Sequence, residues 1–299
     1  MVTKTTSINK GAGIFSVLAL ARLTLISLMA VFFTGFHGFY SPPMNVTDLE
    51  KRKLKGKVRS VMVIDHFIKK NDQTGETDTI VTQELTLFDQ HGNIYEVVKY
   101  KNGIASTISK YLFDSVGRQL LLREYERDGT LKMTVTYKFN NKGHRISAEY
   151  SWPDYDPDDD DFGFEVDDKH PYTTIIYNND YRGYCVEEKR LEEDGSLYCR
   201  FVYDYDFKGN RSEMNYYNSD NDHTWRKVYK YNFNNLLKQS RTYKDNRIVL
   251  RADYTYDFDE QGNWIKRTER RHLYHNIYSS FFEKGDVVTN RRIEYYPQI

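Results

Sequence analysis

The sequence predicts an all-β chain: an antiparallel meander of about seven 26-residue, two-strand repeats forming a curled, solenoid-like sheet behind an N-terminal signal or anchor helix. Three observations carry this. Turn glycines recur at Gly92, Gly117, Gly143, Gly183, Gly209 and Gly262, with Asn235 in the one empty slot, at spacings of 25, 26, 40, 26, 26 and 27 residues. Asp or Asn stands three residues before every anchor, from Asp89 to Asp259, and aromatic residues fill six of seven places both four and six residues before it. Self-similarity at a fixed period marks a repeat architecture, and it accounts for most of the 26 tyrosines.

The chain begins with a different kind of segment. Residues 1–40 hold Lys4, Lys10 and Arg22 and no acid, and Leu23 to Phe36 is an apolar run of fourteen residues. A charged start before a short apolar stretch is the pattern of a secretory signal peptide. Small residues suited to cleavage are poorly supplied around Gly35 and Gly38, so an uncleaved anchor spanning residues 13–36 stands as the alternative. Residues 41–55 read as a linker in which Thr47 and Glu50 fit the capping box of one short helix. Residues 56–299 form the repeat domain, with an insert at 151–170 that explains the spacing of 40.

Within each unit the chemistry is that of a hairpin. Asp at the first position of a type I turn bonds backbone groups two residues on, and Gly at the fourth takes the left-handed conformation that closes a bulge. A second turn class follows at Asn102/Gly103, Asp128/Gly129, Asp194/Gly195 and Lys244 to Asn246. Alternating turns join strands of about eight to ten residues, roughly fifteen in all counting from Lys57. An open sheet that wide curls or splits. If each Asp pairs with the residue after Gly, Tyr111, Phe113, Tyr137, Phe139, Tyr203, Tyr205, Tyr229, Tyr231, Tyr256 and Phe258 share one face with Tyr100, Tyr125, Tyr217 and Tyr243. The other face is then aliphatic early (Val97, Leu122, Ala148) and polar late (Ser240, Arg267).

The runs Tyr111 to Arg118 (YLFDSVGR), Tyr203 to Asn210 (YDYDFKGN) and Tyr256 to Asn263 (YDFDEQGN) resemble YD repeats of the RHS type, over about residues 84 to 270. The chain is similar to small exported YD-repeat-like proteins of Bacteroidetes-type bacteria, with fewer units and a longer period than the large RHS shells. The resemblance implies a β-meander and a cell-envelope setting.

Composition excludes several functions. The 43 basic and 43 acidic side chains cancel, unlike the basic face of a nucleic-acid binder, and two cysteines cannot build a disulfide scaffold or a four-cysteine zinc site. Cys185 and Cys199 are expected to be unpaired, because a register setting Cys199 against Lys189 separates them by about 13 Å along the strand. Asp154, Asp156, Asp158, Asp160 and Glu165 fall at positions 1, 3, 5, 7 and 12 of a calcium loop, but Asp159 stands where Gly is required and Pro157 stiffens the loop. A solvated acidic loop is the reading preferred there. His272 and His275 lack a third ligand, and no nucleophile–base set, phosphate loop or CxxC motif is present.

The expectation is an exported, non-catalytic envelope or secreted protein, in the periplasm, at the cell surface or outside. It would need no cofactor and would present a sheet surface to an unknown protein. It would touch membrane only through an uncleaved N-terminal segment. The alternative is carbohydrate binding on the aromatic columns, which would make the partner a glycan; a two-carboxylate hydrolase is the third reading.

Overall fold

The computed structural model describes residues 47–70, 77–101, 103–153, 172–274 and 286–297. Residues 1–46, where an export signal or anchor is expected, and nearly all of the acidic insert, including Asp154, Asp156, Asp158, Asp160 and Glu165, lie outside the described residues. A short helix α1 (Asp48–Lys51) leads into sixteen strands. They are β1 (Val58–Lys70), β2 (Thr77–Phe88), β3 (Ile94–Lys101), β4 (Ile104–Phe113), β5 (Gln119–Glu126), β6 (Leu131–Phe139), β7 (Arg145–Ser151) and β8 (Thr174–Asn179). The second half is β9 (Cys185–Leu191), β10 (Leu197–Tyr205), β11 (Arg211–Tyr217), β12 (His223–Tyr231), β13 (Leu237–Lys244), β14 (Arg247–Phe258), β15 (Trp264–Leu273) and β16 (Asp286–Tyr295).

Every strand pairs antiparallel with its neighbours in sequence, as a meander requires. The curled, solenoid-like open sheet is corrected, however. β1 also pairs with β16, from Val58 opposite Tyr295 to His66 opposite Val288, and the sixteen strands close into a barrel. The cause lies in the turns. Register shifts by one residue beside each Asp-x-x-Gly turn, as at Leu87/Phe88, Leu112/Phe113, Lys138/Phe139 and Asp257/Phe258, and again beside many of the opposite turns. A bulge bends its strand and adds twist, so one per turn coils the meander until its two edges meet. Closure then removes both unpaired edges.

The same bulges overturn the assignment of faces. Tyr111 lies opposite Leu122 and Tyr137 opposite Ala148, while Tyr125 lies opposite Ile108 and Tyr217 opposite Arg200. A one-residue slip moves a whole strand's side chains to the other face. Tyr111, Tyr137, Tyr203 and Tyr229 therefore point inward with Val97, Leu122, Ala148, Ser240 and Arg267, and Tyr100, Tyr125, Tyr217 and Tyr243 point outward.

The turn chemistry itself is as expected. Asp89 Oδ1 accepts from the amides of His91 and Asn93 (2.8 and 2.9 Å), and Asp114 treats Val116 and Arg118 alike (3.0 and 2.8 Å). Asn235, in the slot without glycine, takes φ +60°. Thr47 Oγ1 accepts from the Glu50 amide while Glu50 Oε2 accepts from that of Thr47 (3.3 and 2.8 Å), completing the capping box.

Candidate functional site

The segment from α1 to Lys57 is a strap across the barrel end that carries the Asp-x-x-Gly turns. The Leu49 amide donates to Gly92 O (3.0 Å) and Asp48 Oδ2 accepts from the Ile94 amide (2.9 Å), which ties the helix to the β2–β3 turn. Lys53 Nζ donates to Asn210 Oδ1 (2.7 Å) and Asn235 O (2.9 Å), on the β10–β11 and β12–β13 turns. The Lys55 amide donates to Asn263 Oδ1 (2.7 Å), and Asn263 Nδ2 donates back to Lys55 O (2.8 Å). Eight strands separate the β2–β3 turn from the β10–β11 turn in either direction around the barrel, so the strap joins opposite sides. A round sixteen-strand barrel would be about 30 Å across. The four residues from Leu49 to Lys53 reach at most about 14 Å, and the extended Lys53 side chain with its hydrogen bond to Asn210 carries the strap onward across the end.

Inward side chains pack beneath the strap. Val58, Val61, Phe88, Ile94 and Val97 form one buried cluster, with Leu49 and Leu54 of the strap and Tyr111 packed against it. Tyr229, Leu237, Ala252 and Tyr254 form another, packed by Tyr231 and Tyr256. Part of the aromatic columns is core. Tyr137, Tyr203 and Tyr229 are between 6% and 8% exposed, which leaves no ring face for a sugar. Their polar ends are satisfied within the sheet: the hydroxyls of Tyr205, Tyr231 and Tyr256 donate to the carbonyls of Cys185, Arg211 and Leu237 (2.7, 2.9 and 2.8 Å). Arg145 and Arg211 lie over the rings of Tyr137 and Tyr203 at 3.9 and 3.8 Å. Phe113 and Phe139 are half-buried, the latter beneath Arg118 at 5.3 Å, and Phe258 is exposed.

Two clusters of buried charged groups stand out among the described residues. In the first, Arg190 Nε donates to Glu188 Oε1 (2.8 Å) and the Tyr203 hydroxyl donates to Glu188 Oε2 (3.2 Å). Burial pulls the Arg190 pKa down, but the Glu188 charge and hydrogen bond together with other neighbours raise it well above the ordinary value, so the guanidinium keeps its proton. Cys185 and Cys199 are free and buried, and burial pushes both thiols up to about 12, which keeps them from acting as nucleophiles. Cys199 sits opposite Arg190 rather than Lys189, again because a bulge shifts the register.

The second group faces the strap. Arg291 lies 3.4 Å from the centre of the Trp264 ring and Arg267 5.6 Å from it, while Arg267 Nη2 donates to Thr289 Oγ1 (3.0 Å). Lys227 is buried nearby, its pKa lowered to about 8 by desolvation, which Glu269 only partly offsets. The sequence reading placed Arg267 on the face opposite the aromatics and passed over Arg52, Glu188, Arg190, Lys227 and Arg291. Only the bulged register puts the strand residues among them inside. His272 lies 3.4 Å from Asp253 on the outer face, and His275 is outside the described residues.

Neither a family model nor a curated protein matches the chain. Solved structures do. A porin-like protein from Bacteroides uniformis aligns with a TM-score of 0.53 at 11% identity, covering 80% of this chain and 99% of that one. The fold is similar to that of a porin-like barrel. A second porin-like protein, from Bacteroides vulgatus, aligns at 0.41 and 11% identity over 82% of this chain and 100% of its own. A putative outer membrane lipoprotein-sorting protein domain from Vibrio parahaemolyticus aligns at 0.30 and 11% identity, over 83% and 92%. Only the first score supports an argument about fold, and it agrees with the closed barrel. The resemblance to YD repeats of the RHS type is thereby corrected. The Tyr, Asp and Gly spacing that carried it is the mark of a bulged hairpin, which an antiparallel barrel repeats as readily as a shell does.

Proposed function

We propose that the chain is a non-catalytic β-barrel of the cell envelope, closed to conduction, that works through its outer surface as a scaffold for a partner protein. The observation that carries this reading is the strap across an end filled by buried side chains. A porin keeps a polar, water-filled lumen inside an apolar, lipid-facing wall. Here the wall is charged: Arg200 pairs with Glu187 (3.0 Å), Arg251 with Asp253 (2.9 Å), Arg226 with Glu213 (3.7 Å) and Lys138 with Glu149, all on outward positions. One sector differs, since Met62, Leu85, Val98, Ile108 and Tyr125 make an outward apolar row across β1–β5. The apolar N-terminal segment supports export, and the porin-like likeness accords with an envelope setting.

The carbohydrate alternative has no platform on Tyr137, Tyr203 and Tyr229, whose rings are buried, and would rest on the half-buried column rings and the exposed Phe258. Reconstitution of the full chain into planar bilayers tests the reading. A silent bilayer is expected, with Lys138, Lys189 and Lys230 labelled freely by a membrane-impermeant amine reagent. Stepwise conductance, or protection of those lysines by lipid, would overturn it.

A further inference from the structure

Arg291 stands apart among the described residues: both its Nε and its Nη1 are shut off from solvent and have no hydrogen-bond partner there. Arg267 Nε, beside it, is in the same condition. An unpaired buried donor loses its hydration without compensation, and for a charged group the loss is larger. The surroundings add to the deficit. Burial, then the charges of Arg52 on the strap and Arg267 on β15, weaken the hold of Arg291 on its proton, and Tyr256 and Asp65 oppose them without restoring it. Asp65 is itself engaged by the Thr289 hydroxyl. Glu269 is taken by Arg271 at 2.7 Å. Trp264 stacks on the Arg291 plane, holding the guanidinium in place while contributing no oxygen to its N–H groups.

We propose that the strapped end of the barrel binds a compact oxyanion of the phosphate or sulfate class, seated between Arg291 and Arg267 with Arg52 above it. Such an anion supplies the missing acceptors and neutralises the excess charge, and Arg and phosphate are matched in hydrogen-bond geometry. Because Arg52 belongs to the strap, the bound anion also holds the strap down. This site is independent of the scaffold reading, since conductance bears on one and anion binding on the other.

Titration of the full chain with inorganic phosphate at constant ionic strength tests it, followed by calorimetry and by hydrogen exchange of the Lys51–Leu54 amides. Saturable binding is expected, with slower exchange across the strap and a melting temperature raised by on the order of 5 °C at about a hundred times the Kd. Arg291→Met should abolish all three effects, and Arg291→Lys should weaken binding at least about tenfold by losing the planar donor set. Chloride at matched strength should do nothing. Absence of saturable phosphate binding by the parent protein would overturn the proposal on its own, whatever the variants do. Binding unchanged in folded Arg291→Lys would overturn it as well, marking an adventitious ion only.

Discussion

The Tyr296 hydroxyl donates to the Phe88 carbonyl at 2.7 Å, joining residues 208 apart in sequence. The contact crosses the seam where β16 meets β1 and β2, and the Tyr296 amide adds a bond to Lys57 O at 2.8 Å. Closure thus depends on the last described strand reaching the first. Tyr296→Phe removes the hydroxyl, leaving a carbonyl without that donor, and should cost about 1 kcal/mol. Urea unfolding with an unchanged m-value is the measurement. A loss within error would show that the β1–β16 ladder closes the barrel unaided.

Gly117 and Gly209 occupy the same place in two turns with the same φ of +79°. A β-carbon at Gly117 would meet open space, whereas one at Gly209 would collide with the Tyr184 hydroxyl. Alanine at Gly117 should therefore cost only the left-handed strain, about 1–2 kcal/mol. At Gly209 the same substitution should cost that and more, because Tyr184, stacked on Tyr205 with ring centroids 4.9 Å apart, must move. Equal losses in thermal unfolding would show that Tyr184 yields freely.

These pairs mark what the sequence shows and where it stops. The Asp and Gly spacing is local chemistry, so the turns and the number of strands, roughly fifteen expected against sixteen found, were legible. The capping box of Thr47 and Glu50 was legible for the same reason. The bulge between Leu112 and Phe113 leaves no comparable mark, yet it decides whether Tyr111 shares a face with Leu122 or with Tyr125. Closure through Val58 and Tyr295 depends on accumulated twist and not on any single residue. The cluster of Arg52, Arg267 and Arg291 joins three distant segments, so no spacing could have found it.

Cys185 and Cys199 are 1% and 2% exposed, with thiols pushed up to about 12 by burial. At pH 8 both are protonated and out of reach. A disulfide-exchange reagent such as DTNB should leave the native chain untouched and release two equivalents of product once denaturant is added, a count that follows from the 2 cysteines in the sequence. Fast reaction in the native state would require local opening of β9 and β10, and would contradict the packing around Glu188 and Arg190.

Lys227 makes the strongest case for a pH effect on stability. Desolvation holds its folded-state pKa at about 8, below the ordinary value of 10.5, against the opposing pull of Glu269. Below pH 8 both folded and unfolded chains carry the proton, and the folded chain bears the whole penalty of a buried charge, on the order of 3 kcal/mol. Between about pH 8 and 10.5 the unfolded chain holds a proton that the folded chain has released, so this residue's contribution to stability rises with pH. Lys227→Met removes the charge while keeping the aliphatic stem. It also gives up the contact with the Tyr229 ring at 5.6 Å, so a net stabilisation of about 1–3 kcal/mol is expected near neutral pH. The difference in melting temperature between parent and variant should shrink as pH rises from 7 to 9, while the shared titration of the buried tyrosines and cysteines cancels. A difference that stays constant over that range would mean that Lys227 keeps its proton, its charge balanced within the barrel by Glu269.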